Sequence, residues 1–208
     1  MKVLSLTVCQ KGSPPKLLVL EQDLSSFSFY QRGSVKEAIN FFVQTIAERT
    51  APGTRQTVQQ DNYTGHVYAN YEGLISVIVT DAEYPPRVAF SILARLLDEF
   101  NQKFPPSKRA NLSPDKTPQV YPELRDHLVK AQDPQSADPF MRVQRELDET
   151  KIVMHKTLDS LLQRGEKLDD LVARSEQLSD QSRMFYKTAK STNACCVRSI
   201  FPFIHYDF

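Results

Sequence analysis

Residues 140–192 read FMRVQRELDETKIVMHKTLDSLLQRGEKLDDLVARSEQLSDQSRMFYKTAKST. Counting from the first residue in alternating steps of three and four selects sixteen positions, fifteen of which are apolar, Ser or Thr. This spacing defines one stripe of an α-helix, and a stripe sustained over about seven heptads is the pattern of a coiled coil. The sixteen seam positions are Phe140, Val143, Leu147, Thr150, Met154, Thr157, Leu161, Arg164, Leu168, Leu171, Ser175, Leu178, Ser182, Phe185, Ala189 and Thr192.

One seam position is charged. Arg164 stands at the centre, with seven seam positions before it and eight after. A guanidinium buried without partners is costly, so acceptors from neighbouring helices are expected to meet it and to fix the register of the assembly. The alternative is that Arg164 reaches solvent at the edge of a bundle. The Thr and Ser seam residues make a homodimeric zipper weak and favour a helix that needs particular partners.

Proline and glycine divide the chain into two parts. Twelve of 13 prolines and five of six glycines lie in the first 139 residues. Proline is excluded from helix interiors, so the stretch that follows permits a very long helix. Asp138 and Pro139 suit its N-cap and first position. We predict a domain over 1–131, a linker over 132–137, a coiled-coil helix over 138–194 and a tail over 195–208.

The first part has the pattern of an α+β domain in the order β-β-α-β-β-β-α-α. Residues 3–8 and 17–20 are candidate strands, and residues 62–71 and 74–80 suggest a hairpin around Gly73. Ser34 and Glu37 form a capping-box pattern before a helix whose apolar face includes Phe42. Further helices are predicted from Pro86 to before Pro105 and over 122–131, with a loop over the proline-rich residues 105–120.

Composition excludes several classes of function. With 26 Lys+Arg against 25 Asp+Glu the net charge is +1, which argues against a nucleic-acid partner. No run of apolar residues is long enough to span a bilayer, and the first residues lack a signal peptide, so we expect a cytoplasmic chain. The four histidines have no metal-ligand spacing, and Cys9 is expected to be a small core residue. An enzyme is not expected, nor a cofactor or metal.

The central sequence resembles a known motif. Residues 146–151 (ELDETK) and 161–171 (LLQRGEKLDDL) are similar to the R-SNARE motif. The domain before it is similar to the longin branch, a profilin-like fold with a five-stranded antiparallel sheet and flanking helices. The adjacent Cys195 and Cys196, without a membrane span, resemble the lipid-anchored, prenylated synaptobrevin homologues. Residues 25–32 and 81–90 share the likeness, which covers about 195 residues.

The resemblance implies a role in membrane fusion. Arg164 would form the ionic layer of a parallel four-helix bundle with glutamines from three Q-SNARE helices on the opposing membrane, and the other seam residues would form its core layers. The longin domain would fold back on the SNARE segment. Phe41 points about 120° away from the apolar face of its helix, so it is either a plain surface residue or, as in related longins, part of the groove that receives that segment or a lipid; we favour the groove. The implied setting is the cytoplasmic face of Golgi, vesicle, endosome or vacuole membranes in ER–Golgi, endosomal and vacuolar transport.

The tail departs from the family pattern. The resemblance implies palmitate on Cys195 and a prenyl group on Cys196, which in the family is followed by three residues. Here twelve residues follow Cys196, so we expect the chain as written not to be prenylated. The alternative function is a non-fusogenic longin adaptor whose coiled coil forms a homo-oligomeric scaffold. A fusogenic segment should remain monomeric until it meets partner helices, whereas a scaffold should self-associate.

Overall fold

A computed structural model describes residues 1–60, 62–134, 152–163, 165–175, 178–180 and 182–183. Its elements follow one another as an α+β chain, in agreement with the predicted class. The strands are β1 (Val3–Gln10), β2 (Lys16–Gln22), β3 (Arg55–Gln60), β4 (Tyr63–Ala69), β5 (Leu74–Asp81) and β6 (Ile152–His155). The helices are α1 (Arg32–Glu48), α2 (Pro86–Lys103), α3 (Pro106–Arg109), α4 (Thr117–Val120), α5 (Glu123–Ala131) and α6 (Leu168–Arg174), with 3-10 turns at Pro114–Lys116 and Asp159–Leu161.

The sheet has six strands rather than the five that were predicted. Their order is β2-β1-β5-β4-β3-β6, and the first five pair antiparallel as expected. The sixth strand comes from the predicted coiled-coil region and pairs parallel with β3. An edge strand such as β3 presents unpaired backbone N–H and C=O groups, and β6 satisfies one row of them. The prediction of an all-antiparallel sheet was therefore wrong at one edge.

Two hydrophobic clusters cover the two faces of this sheet. Along β5, Leu74 and Ile78 belong to the cluster beneath α2 and α5, whereas Ile75 and Val77 belong to the cluster beneath α1. This alternation follows from the two-residue period of a strand, and it explains why the whole run is apolar. The strand was predicted to be covered on both faces, and that prediction is confirmed.

Two local predictions in the N-terminal part need correction. Helix α1 begins at Arg32, since Gln31 is already helical and the backbone N–H of Arg32 donates to the carbonyl of Ser28. Ser34 thus lies inside the helix and caps nothing. The predicted loop over 105–120 contains α3, a 3-10 turn and α4. Proline is compatible with the first turn of a helix, and each of these short elements has a proline there.

The predicted continuous helix over 138–194 is absent from the described residues of this chain. Over residues 152–163 and 165–175 the backbone forms β6, a 3-10 turn and the seven-residue helix α6. An isolated helix cannot bury its own apolar stripe, and most helical stability in proteins comes from that burial. Without partner helices the chain buries seam residues against its own N-terminal part instead.

His66 is a fully buried histidine at the centre of β4. Its Nδ1 lies 3.1 Å from the hydroxyl of Thr57, and its ring packs edge-on against Phe90 of α2. Burial lowers the pKa of His66 from 6.5 to about 4. Because the unfolded chain binds this proton more readily, stability is complete above pH 6.5 and falls as the pH drops toward 4.

We predict that the wild-type chain loses about 2 kcal/mol of unfolding free energy between pH 6.5 and pH 5, at about 1.4 kcal/mol per pH unit. Urea titrations at the two pH values measure this loss. The His66→Gln variant, less stable at neutral pH, should show a much smaller loss. Equal slopes for His66→Gln and wild type would contradict the assignment.

Candidate functional site

The described residues between Ile152 and Arg183, here called the docked segment, lie on the N-terminal domain (residues 1–131). Contact begins at β6, where Ile152 pairs with Arg55 and His155 with Val58. Ile152 also packs against the cluster beneath α2. Ile and Val favour strands because their branched side chains fit a pleated surface, and the open edge of β3 supplies the missing backbone partners. The docked segment therefore starts as an added edge strand.

Three leucines follow β6 and bury their side chains in the cluster beneath α1. Leu158, Leu161 and Leu168 are each less than a tenth exposed and share this cluster with Phe42 and Val58. The backbone N–H of Leu158 donates to Oε1 of Gln60 across 3.1 Å, a buried hydrogen bond between residues 98 positions apart. The leucines thus extend the core of the N-terminal domain beyond its own sequence.

An ion pair joins the end of α1 to the turn before α6. Nη2 of Arg49 lies 3.1 and 3.2 Å from the two carboxylate oxygens of Glu166, and Nη1 lies 3.2 Å from Glu48. Glu166 also accepts the backbone N–H of Gln163 at 3.0 Å. That hydrogen bond, followed by the Arg49 guanidinium, holds the pKa of Glu166 below its usual value. The side chain of Arg49 is largely buried, so the contact is partly shielded from solvent.

A second polar contact joins the first half of α1 to the last described part of the docked segment. The carboxylate of Glu37 accepts the backbone N–H of Ser179 at 2.8 Å. Burial acts to raise the pKa of Glu37, but hydrogen bonds from Ser179 and Ser182 outweigh it, and the pKa lies below its usual value. Glu37, predicted to cap its own helix, caps the docked segment instead.

The docked segment divides the described seam residues into two groups. Met154 and Thr157 face solvent, and Met154 is 73% exposed. Leu161, Leu168, Leu178 and Ser182 are buried, while Leu171 and Ser175 are half-buried. The other predicted site residues lie outside the described residues: Phe140, Val143, Leu147, Thr150, Arg164, Phe185, Ala189, Thr192, Cys195 and Cys196.

Phe41 is half-buried on α1 and packs against the cluster that holds Leu158, Leu161 and Leu168. The structure therefore brings Phe41 and the docked segment to one place. Sequence reasoning missed Arg49, Gln60, Leu158 and Glu166, whose contacts span 98 residues or more. Leu158 carried one signal, as a leucine just off the seam, but nothing in the pattern indicated where it would pack.

The Phe41→Glu variant is expected to weaken docking, because a charge would be placed against an apolar cluster. We expect the rate of trypsin cleavage within residues 152–183 to rise about tenfold, corresponding to roughly 1.4 kcal/mol. The matched control is Gln44→Glu, which introduces the same side chain one turn away at another half-buried position of α1. Unchanged cleavage and an unchanged hydrodynamic radius for Phe41→Glu would contradict a role for Phe41 in docking.

The part of the chain that the structure describes holds neither a membrane-spanning helix nor a cluster of metal ligands. Within it no helix is both long and apolar enough to cross a bilayer. Nor do three or more His, Cys, Asp or Glu side chains gather there in a group that could hold a metal ion. Cys9 is fully buried in the core, and burial raises its pKa to about 12, so its thiol stays protonated and shielded. The arrangement is one of packing and hydrogen bonding between two parts of a chain.

Comparisons with known proteins match both parts. Residues 24–122 match the family model described as a Regulated-SNARE-like domain, or longin, and residues 139–200 match that of Synaptobrevin. Synaptobrevin homolog ykt6 of Schizosaccharomyces pombe is 53% identical over 198 residues, covering 95% of this chain and 99% of that protein. The proteins named Synaptobrevin homolog YKT6 in Eremothecium gossypii and Saccharomyces cerevisiae are 48% and 45% identical, with the same coverage.

Proposed function

The chain belongs to the longin R-SNARE family of synaptobrevin homologues, and from this membership we propose that it drives membrane fusion and that its N-terminal domain controls when it can do so. An R-SNARE role in vesicle trafficking, in partnership with other SNAREs, follows from the family. The proposal adds a parallel bundle with three Q-SNARE helices, Arg164 as its ionic layer, and action in ER–Golgi, endosomal and vacuolar transport.

One observation supports the proposed control of bundle assembly by the N-terminal domain. Leu161 and Leu168 are seam positions that a four-helix bundle would bury, and here they are buried in the core of the N-terminal domain. One side chain cannot occupy both environments, so the closed form and the bundle exclude each other. Opening must therefore precede zippering past Leu161.

The closed form has the energetic character of a reversible state. Three leucines in the cluster beneath α1, four paired residues of β6 and a few polar contacts join the docked segment to the N-terminal domain. Partner helices that bind only the open form shift the equilibrium toward it.

The pair formed by Arg49 and Glu166 provides a test that leaves the seam untouched. Glu166 lies off the seam, and Arg49 lies in the N-terminal domain, so neither contributes a bundle layer. We expect Arg49→Gln and Glu166→Gln each to speed assembly with three soluble Q-SNARE helices about threefold, measured as gain of helical circular dichroism. The double variant should be no faster than either single variant, because the two changes remove one contact.

The control is Lys156→Gln, which removes an exposed charge off the seam and should leave the rate unchanged. Equal rates for wild type and both single variants would contradict closure through this contact. Failure of every form to gain helix with any Q-SNARE set would contradict the fusion role. Size-exclusion chromatography of residues 132–194 separates the scaffold alternative, which requires a stable homo-oligomer.

Lipid attachment completes the proposal. We propose palmitate on Cys195 and peripheral attachment to the cytoplasmic face of a membrane, on the basis of the family resemblance; a prenyl group on Cys196 is proposed only for a form in which three residues follow that cysteine. One lipid chain binds a bilayer marginally and two bind firmly, so a reversible palmitate would switch the chain between membrane and cytosol. Mass spectrometry of lipid adducts on the native chain, with Cys195→Ser and Cys196→Ser variants, tests both assignments.

A further inference from the structure

The loop between β2 and α1 carries two adjacent aromatic side chains that face solvent. Phe29 is 79% exposed and Tyr30 is 92% exposed, and their rings meet edge to face with centroids 5.8 Å apart. Neither contributes to the hydrophobic clusters of the described residues. Single exposed apolar residues are common, but two that contact each other at the tip of a loop form a patch that favours interaction.

The tip is held in shape by its own hydrogen bonds. The backbone N–H and hydroxyl of Ser28 both donate to Oε1 of Gln31, and Phe27 is buried in the core as an anchor. Nε of Arg32 donates to the carbonyl of Phe27 at 3.1 Å. Because the backbone of the loop is already ordered, binding through its aromatic rings costs less conformational entropy.

Two cations stand directly behind the aromatic tip. Arg32 and Lys36 lie one turn apart on α1, and both are exposed. In the described part of the chain no carboxylate lies within ion-pair distance of either. The neighbouring carboxylate of Glu37 is engaged by Ser179. Both cations line a cleft of about 780 Å³ against β2, whose lining also includes Glu21 and Asp115.

We propose that this surface, comprising Phe29, Tyr30, Arg32 and Lys36, contacts an anionic lipid bilayer. Aromatic rings prefer the interface between headgroups and acyl chains, and Lys and Arg gain from the negative potential of anionic lipids. The rings protrude from a turn instead of lining a groove, which suits insertion into a soft interface. Two protruding aromatic rings with exposed cations near them favour a lipid surface over a folded protein partner.

The path of the docked segment agrees with this orientation. Ser179 contacts Glu37, which follows Lys36 in the sequence, so the described end of the segment reaches the first half of α1. Twelve residues lead from Arg183 to Cys195, a span of at most about 40 Å. This step alone rests on the proposed lipid anchor: a lipid on that cysteine could enter the bilayer that the aromatic tip touches.

The test uses the full chain without lipid and vesicles of phosphatidylcholine with or without phosphatidylserine. The sequence contains no tryptophan, so a Tyr30→Trp variant supplies a unique fluorescent probe at the tip. We expect its emission to shift to the blue with phosphatidylserine vesicles, and sedimentation with them to weaken as salt is raised. The Arg32→Gln/Lys36→Gln variant should bind these vesicles about twentyfold more weakly, near fivefold per cation, and Phe29→Ser/Tyr30→Ser should also lose binding.

Two controls use exposed residues elsewhere. Tyr71 is 87% exposed in the β4–β5 turn, and Tyr71→Trp should show no blue shift. Lys130→Gln, at the end of α5, should bind as wild type does. The proposal is overturned if the wild-type chain does not bind phosphatidylserine vesicles, if Tyr30→Trp is silent while the chain sediments with them, or if the four-residue surface can be altered without loss. Assembly with soluble Q-SNARE helices needs no vesicle. A chain that assembles normally but does not bind vesicles would therefore overturn this inference and leave the proposed function in place.

Discussion

The Leu158→Glu variant is expected to open the closed form and to assemble with Q-SNARE helices far faster than the wild-type chain. Leu158 is 4% exposed in the core of the N-terminal domain, yet it lies off the heptad seam. Removing a buried leucine costs about 2–5 kcal/mol, and a buried carboxylate adds to that cost. A shift of about 3 kcal/mol would multiply the open fraction on the order of a hundredfold, until the open form predominates.

Two measurements on the full chain check this result. The rate of helix formation with three soluble Q-SNARE helices should rise at least tenfold, and the hydrodynamic radius should increase before any partner is added. The matched control is Met154→Glu, which introduces the same charge four residues earlier. Met154 lies on the seam but faces solvent in the closed form, so this variant should stay compact and form a weaker bundle. The assignment fails if Leu158→Glu remains compact and assembles at the wild-type rate.

Replacing Arg164 with leucine is expected to leave assembly possible while removing its selectivity. Apolar residues in place of buried ions are often neutral, or stabilising by about 1–4 kcal/mol. A single polar seam residue instead sets register and partner choice, since a misaligned bundle would leave its charge unpaired. Selectivity can be expressed as the preference for Q-SNARE helices that carry the central glutamine over helices in which leucine replaces it. We expect Arg164→Leu to lower this preference at least tenfold.

Melting temperatures of the two kinds of bundle measure the selectivity, and a pair of fluorophores near the helix ends reports the register. Lys167→Leu is the matched control, because Lys167 is a cation three residues further on and off the seam. Its bundles should keep both the original register and the wild-type preference. Should Arg164→Leu retain that preference in the original register, Arg164 would have no role in selectivity.

The helices and strands that were predicted well are those whose type depends on neighbouring residues in the sequence and on one regularly spaced apolar face. Helix α2 has its apolar stripe at helical spacing, and its ends are marked by prolines, so its type and bounds follow from local chemistry. The β4–β5 hairpin turns at Gly73, which adopts a positive φ of 80° that glycine tolerates. Such features depend on few residues, and tertiary contacts reinforce them.

The candidate site resisted prediction because its contacts join distant parts of the chain. Arg49 and Glu166 are separated by 117 positions, and each alone has the pattern of a solvated charge. Phe41 was predicted as a groove residue because helical spacing turns it away from the apolar face of α1, and this spacing is local information. The segment that lies beside it was implied only by the family resemblance, and the pairing of β6 with β3 had no sequence signal of its own.

The sequence by itself determined that the chain has an α+β domain and a heptad seam with one central arginine, because both are periodic patterns of apolar residues. It did not determine what the seam residues pack against. Leu161 and Leu168 can be buried by partner helices or by the domain beneath α1, and apolar burial is non-directional, so the pattern suits both. Only the tertiary structure decided the outcome for the lone chain. The open edge of β3, Gln60 and Arg49 contact the segment beside the apolar cluster beneath α1. There they hold, as a strand and short turns, a segment whose sequence pattern is that of a helix.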